Sequence, residues 1–351
     1  MKTLNVLNKY DILIDRGILD RCGELIKHVC RGKRCCIISD DNVAPLYAER
    51  VLDSMKSAGY EVSLCVFPHG EKNKHIGIVT EILTTLADNS LTRSDFVVAL
   101  GGGVTGDLAG FAASIYLRGI AFVQIPTTLL AQIDSSVGGK TGCDLPAGKN
   151  LVGAFHHPSA VIIDPDILDT LPDKFMRDGM GELIKYGAIR SVEIFEMLEN
   201  NPPFASIDEL IYKCVEIKAG IVERDFTEAG ERTLLNFGHT VGHAIEKLEN
   251  FNGMSHGCAV AAGMCIITRA AEKVELCFDG NAARIEALCK KYDLPTGYAA
   301  SADDIATAAM ADKKRNGDML KLVLIRKIGD SFVCPIRCSK LSELLEGCVE
   351  G

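Results

Sequence analysis

Between residues 33 and 165 the chain alternates β-branched runs with helix-periodic stretches, and few architectures accept that alternation. RCCIISD (34–40), EVSLCVF (61–67), DFVVALG (95–101), IAFVQIP (120–126) and AVIIDP (160–165) read as strands. Between them, VAPLYAERVLDSMKSAG, HIGIVTEILTTLADN and DLAGFAASIYLRG repeat apolar residues every three to four positions, as helices do. Apolar strands separated by helices predict a largely parallel, Rossmann-like sheet covered on both faces. From 174 to 312 the period is helical, with breaks at Asn201-Pro202-Pro203, Gly230, Asn252-Gly253 and Pro295-Thr296-Gly297. A β-rich stretch, LKLVLIRKIG (320–329), precedes a last helix near 340–347. The expectation is an α/β N-terminal domain over residues 1–172, followed by an all-helical C-terminal domain over 173–351, that short β-rich stretch aside.

The start, MKTLNVLNKYDILID, alternates polar and apolar side chains and reads as an edge strand or hairpin, without the apolar core of a signal peptide. No apolar run reaches the roughly 18 to 20 residues that cross a bilayer, and a cytoplasmic protein is expected. The net charge of −9 argues against nucleic acid or an anionic membrane as partner, though not against a small anion held by local charge. Fourteen cysteines include no C-x-x-C pair; the nearest approaches are Cys35-Cys36 and Cys334 to Cys338. Most others, such as Cys65, Cys265 and Cys289, lie in apolar periodic segments and read as reduced packing residues.

GGGVTGD (101–107) follows a strand and opens a helix, and Gly101, Gly103 and Gly106 satisfy G-x-G-x-x-G. Glycine there lets the backbone approach a pyrophosphate at a helix N-terminus, yet a plain tight turn explains the pattern equally well. The acidic residue expected about 20 positions on is missing. Support comes from Asp40 and Asn42 after the first strand, Glu71 and Lys74 after the second, and Thr127 and Thr128 after the fourth. All lie at carboxyl ends of strands, where open parallel sheets bind ligands.

The segment 133–158 reads as too glycine-rich and charged for a core. It supplies Asp134, Lys140, Lys149 and Asn150, suited to an anionic substrate or to a solvated loop. In MGELIKYG, Glu182 and Lys185 share a helix face, a spacing usual in surface ion pairs. NFGHTVGHAIE places His239 and His243 one turn apart, and Thr240 stands where a zinc protease helix needs glutamate. His256 opens the next apolar helix. One Glu and two His make a catalytic zinc set, so three histidines are one too many, and spacing does not say which is surplus.

These segments together resemble the 3-dehydroquinate synthase family, within the sugar phosphate cyclases. The match rests on GGGVTGDLAGFAAS, RGIAFVQIPTTLLAQIDSSVGGKTG, GKNLVGAFHHP, GELIKYG, RTLLNFGHTVGHAIE and HG-x-AVAAGM, from about residue 68 to 264. The resemblance implies a homodimeric shikimate-pathway lyase using NAD and a divalent metal, zinc or cobalt. Its sugar phosphate substrate would be 3-deoxy-D-arabino-heptulosonate 7-phosphate, and its products 3-dehydroquinate and phosphate. Carried over motif by motif, Glu182, His239 and His256 would bind the metal and His243 would face the substrate phosphate.

The resemblance further implies that Glu71, Lys74, Asp107, Thr127, Thr128, Lys149, Thr170 and the glycine turn, with Gly102, Gly103 and Val104, would hold NAD. Asp40 and Asn42 are expected to join them from their place past the first strand, where a carboxylate and an amide can hold a ribose. Lys140, Asn150, Asn236 and Lys314 (or its neighbour Lys313) would meet the phosphate, with Lys140 also near the cofactor. Arg118 would reach it from the partner subunit. Lys218 and Arg232 would pair with the substrate carboxylate, and Asp134 and Lys185 would contact its hydroxyls. Cys258 and His157 depart from the family pattern, though not at ligand positions. A metal-dependent polyol dehydrogenase and a sibling cyclase making a carbocycle such as 2-deoxy-scyllo-inosose are the competing enzymes. A non-catalytic binding protein would leave the many charged positions without a purpose.

Overall fold

The computed structural model describes residues 1–202, 204–228, 230–311 and 318–350. The chain forms two compact units, Met1–Leu171 with Lys218–Glu223, and Pro172–Ile217 with Arg224–Gly351.

In the first unit, β1 (Lys2–Val6) and β2 (Tyr10–Ile14) form an antiparallel hairpin, one of the two forms expected of the opening residues. Helix α1 (Cys22–Lys27) leads to β3 (Arg34–Asp40), α2 (Ala44–Ser57), β4 (Glu61–Phe67), α3 (Ile76–Asp88), β5 (Phe96–Gly101), α4 (Gly103–Ile115) and β6 (Ala121–Pro126). A second hairpin, β7 (Lys140–Leu145) with β8 (Gly148–Phe155), precedes β9 (Ala160–Ile163). The seven-stranded sheet has the order β1-β2-β9-β6-β5-β3-β4, parallel throughout except for β1. This is the mostly parallel α/β sheet that the alternation predicts.

The alternation of side chains across the pleat explains its two covered faces. On β5, Phe96, Val98 and Leu100 pack with Val51 and Met55 of α2 on one side. Val97 and Ala99 pack with Ile82 of α3 and Leu108 of α4 on the other. The segment 133–158 is more structured than its composition suggests: Cys143 of β7 is fully buried in the second cluster. Strand order reverses beside β3, because β4 follows it on one side while β5, β6 and β9 extend the other. Such switch points leave a crevice at the strands' carboxyl ends.

The second unit is helical. It contains α5 (Asp173–Arg190), α6 (Val192–Asn200), most of α7 (Ile207–Arg224), α8 (His239–Leu248), α9 (His256–Lys273), α10 (Asn281–Lys291) and α11 (Ala302–Ala311). The β-rich stretch is β10 (Met319–Lys327), paired antiparallel with β11 (Asp330–Arg337) ahead of α12 (Leu341–Leu345). Helix α9 is almost wholly apolar on its packed faces, with Val260, Ala261, Met264 and Ile266 buried. Among the described residues no helix is long and apolar enough to cross a membrane.

Candidate functional site

In the first unit the glycine turn joins β5 to α4, with Gly102 as the helix N-cap. A Cβ at Gly101 would lie 2.3 Å from Thr105 Oγ1, and one at Gly106 would lie 2.7 Å from Gln124 Oε1 on β6. The glycines therefore serve the close approach of helix to sheet and leave the α4 N-terminus, Gly103 and Val104 included, at the sheet's carboxyl edge. Thr105 donates to Asp40 Oδ2 at 3.1 Å, tying the turn to the end of β3. Asp40 Oδ1 accepts from the backbone N–H of Asn42 and Val43, which turns the chain into α2. The backbone N–H of Thr127 donates to the Gly101 carbonyl at 3.0 Å, while its buried hydroxyl oxygen has no partner among the described residues. Thr128 Oγ1 accepts from Ala131 N–H at 3.2 Å.

Lys74 is buried and bonds both Asp107 Oδ2 and Asn150 Oδ1 at 2.6 Å. Burial opposes its charge, but the carboxylates of Asp107, Glu71 and Asp144 outweigh burial and push the ammonium pKa above its usual value. Lys149 reaches Glu71 at 3.6 Å, and Lys218 pairs with the Asp134 carboxylate while donating to its carbonyl at 2.7 Å. Lys74, Asp107 and Asn150 are thus one bonded group, and Asp134 with Lys218 a second.

The Thr170 hydroxyl bonds Tyr47 and the Ile167 carbonyl. Lys140 and Asn42 are exposed. Arg118, exposed with φ +70, precedes the amino end of β6, whereas Thr127 follows its carboxyl end. Six residues of strand separate those ends by roughly 20 Å. Arg118 therefore does not join the Thr127 edge. Lys313 and Lys314 fall outside the described residues.

The second unit brings Glu182, His239 and His256 together. Glu182 and Lys185 are not a surface pair: the two side chains are 3% and 2% exposed and bonded to each other. Close helix packing produces the cluster. A Cβ at Gly181 would lie 2.2 Å from the Gly257 carbonyl oxygen, and one at Gly257 would lie 2.0 Å from the Asp178 carbonyl oxygen. These two glycines let α5 and α9 approach beside Glu182 and His256. Likewise a Cβ at Gly263 would strike the Gly238 carbonyl oxygen at 2.1 Å, so α8 and α9 nearly touch beside His239. Asp178 Oδ1 accepts from Gly257 N–H at 3.0 Å and caps α9 from a neighbouring helix.

His239 Nε2 and His256 Nε2 each lie 3.4 Å from Glu182 Oε1. Ligand atoms on a tetrahedral zinc, at about 2.0–2.1 Å from the ion, stand about 3.4 Å apart, so the donor set fits such a cation. The protonation pattern fits as well. His239 Nδ1 lies 3.1 Å from the Phe237 carbonyl, which can only accept, so Nδ1 carries the proton and Nε2 a free lone pair. Burial holds the His239 pKa at about 3, keeping it neutral as a ligand must be. At His256 burial also opposes charge, but Glu182 and Glu246 outweigh it and raise the pKa to about 10, so a cation would replace the Nε2 proton. His243 is the histidine outside this set, half-exposed, with its ring centroid 5.4 Å from that of His239.

Arg232 is buried, with its backbone N–H on Asp225 Oδ2 and a guanidinium N–H on the Phe226 carbonyl, and Asn236 donates to Glu228 at 3.2 Å. Sequence reasoning missed Asp178 and Glu246, the latter with Oε2 3.5 Å from His256 Nδ1. The only signal was the acidic residue closing GHAIE, which by spacing looks like any solvated helix carboxylate.

The chain matches the family described as 3-dehydroquinate synthase N-terminal over residues 64–178 and 3-dehydroquinate synthase C-terminal over 179–315. It is 46% identical to the 3-dehydroquinate synthase of Clostridium acetobutylicum, covering 95% of this chain and 96% of that one. Among solved structures, 2-deoxy-scyllo-inosose synthase complexed with carbaglucose-6-phosphate, NAD+ and Co2+ superposes with a TM-score of 0.85 at 25% identity, covering 98% and 99% of the two chains. The 2-epi-5-epi-valiolone synthase ValA of Streptomyces hygroscopicus, with NAD+ and Zn2+ bound, gives 0.86 at 26% identity, covering 98% and 97%. These relatives place the chain among the carbocycle-forming synthases. The chain belongs to the 3-dehydroquinate synthase family.

Proposed function

We propose that this chain is a phosphorus–oxygen lyase of the shikimate pathway, converting 3-deoxy-D-arabino-heptulosonate 7-phosphate to 3-dehydroquinate and phosphate. The observation that carries the reading is the convergence of Glu182, His239 and His256, each imidazole Nε2 3.4 Å from Glu182 Oε1, in a chain of this family. These three would hold a zinc or cobalt ion. Asp40, Asn42, Glu71, Lys74, Gly102, Gly103, Val104, Asp107, Thr127, Thr128, Lys140, Lys149 and Thr170 would hold NAD. When bound, NAD supplies a hydride acceptor that is regenerated within each turnover, and the ion a Lewis acid for the substrate's hydroxyl oxygens.

The chain's own residues do the rest. The proton beside the phosphate-bearing carbon becomes removable only once the neighbouring hydroxyl is a ketone, so the substrate must be held through both steps. Lys140, Asn150, Asn236, His243 and Lys314 would fix the phosphate and stabilise the departing dianion, helped by Arg118 of a second copy. Arg232 and Lys218 would pair with the carboxylate, and Asp134 and Lys185 would orient the hydroxyls. Lys218 already has an anionic partner in Asp134, so a bound carboxylate would share its ammonium with that side chain. The same reading makes the enzyme a cytoplasmic homodimer.

Phosphate release from the heptulosonate phosphate, followed before and after chelation, tests the proposal. Release that stops on chelation and returns with zinc, without net NADH, is expected. Net NADH with glycerol as substrate would make the chain a polyol dehydrogenase. Turnover of glucose 6-phosphate in preference would make it a sibling cyclase.

A further inference from the structure

Glu246 is a buried carboxylate on α8 that the proposed ligand set does not use. Its Oε2 lies 3.5 Å from His256 Nδ1 and 4.0 Å from His243 Nε2. Burying a carboxylate is costly unless a donor or cation faces it, so its position calls for a reason. His243, Glu246 and His256 bring their ligand atoms within 4.8 Å of one another, which admits a second cation. That arrangement shares His256 with the first set. With Nε2 committed beside Glu182, an ion on Nδ1 would require the ring to give up both protons. A carboxylate beside Nδ1 favours the opposite, a proton kept on that nitrogen.

We propose that Glu246 is a positioning residue: it holds the Nδ1–H of His256 and so commits Nε2 and the plane of the ring to a cation shared with Glu182 and His239. The inference rests on the metal-centre reading above. Each imidazole of the set then has one nitrogen on a protein acceptor and the other turned to the ion, Phe237 carbonyl serving His239 and Glu246 serving His256. Both histidines open a helix, His239 α8 and His256 α9, and each N-terminus carries partial positive charge that disfavours a dication beside it. A carboxylate on Nδ1 of His256 offsets that field and makes Nε2 a stronger donor, which a neutral carbonyl does less well.

The test is zinc affinity of the metal-free full chain, by competition with a chromophoric chelator at neutral pH. Glu246→Gln is expected to weaken zinc binding about 10- to 100-fold, and Glu246→Asp by less, because it keeps the charge. The visible absorption of the cobalt-loaded protein is expected to shift in Glu246→Gln, while the unfolding midpoint of the metal-free variant stays near the parent's. Should Glu246→Gln not fold, Glu246→Asp decides by the same measurements. Parent-like affinity and cobalt spectrum in the variants overturn the inference and leave the metal centre standing. A parent that binds no zinc overturns both. A parent that binds two ions, of which Glu246→Gln loses only the weaker, makes this group a second cation site and overturns the positioning role.

Discussion

His243 stands one turn beyond His239 on the same helix, yet a cation held by Glu182 would leave it out. Its side chain is 53% exposed, against 13% for His239, and its Nε2 lies 4.0 Å from Glu246 Oε2. His243→Ala should therefore keep one zinc per chain and change stability by no more than about 0.5 kcal/mol. If it meets the substrate phosphate, kcat/KM should fall about 10- to 100-fold, the loss of one charge-assisted hydrogen bond. Metal content and steady-state kinetics on the same preparation check this, and loss of zinc would move His243 into the ligand set. Spacing identified the three histidines but not the surplus one, because distance along a helix says nothing of which neighbouring helix carries the carboxylate. The same limit explains Glu182 and Lys185. Their spacing assigns a common face, and only the packing of α9 on α5 makes that face interior.

Helix α5 meets α9 at a contact that has no room for a side chain. In Gly257→Ala the new Cβ would overlap backbone atoms of Asp178, which cannot rotate away, so the helices must part. The expected cost is about 1–3 kcal/mol of stability, typical of overpacking. Zinc affinity should weaken with it, because Glu182 and His256 sit next to the displaced backbone. Urea unfolding of the metal-free protein together with zinc competition measures both, and an unchanged pair of values would mean that the close approach is dispensable. Elements of this kind were unevenly legible. The parallel strands were plain because each carries apolar residues to two covered faces, so that local composition reports burial directly. The β7–β8 hairpin was not, since glycine and charge in KTGCDLPAGKN hide a strand whose one buried cysteine packs beneath α3 and α4. Strand β11 was hidden likewise by Pro335, tolerated because β11 is an edge of a two-stranded sheet.

Across the whole molecule the fourteen cysteines form no disulfide, and eleven of them are buried, leaving Cys258, Cys334 and Cys338 partly accessible. Burial raises the thiol pKa of Cys22, Cys30, Cys36 and Cys277 from 9.0 to about 11. Cys35 is raised further for the same reason, and Cys265 by its contact with Cys289 in the interior. Because the thiolate is the reactive form, buried thiols are protected twice, by access and by protonation. A disulfide-exchange reagent at neutral pH should modify no more than those three thiols in the folded chain and all fourteen after denaturation. The same shifts set a stability trend. Between 9.0 and about 11 the folded state keeps protons on thiols that the unfolded chain has released. Stability from this source is complete below pH 9 and falls as pH rises through that window. Unfolding midpoints in urea should decline accordingly from pH 9 upward, with modification of the buried thiols accelerating in step. A midpoint flat through that range, or fast labelling of a fourth thiol at neutral pH, would show that the cysteines are not the sealed packing residues described here.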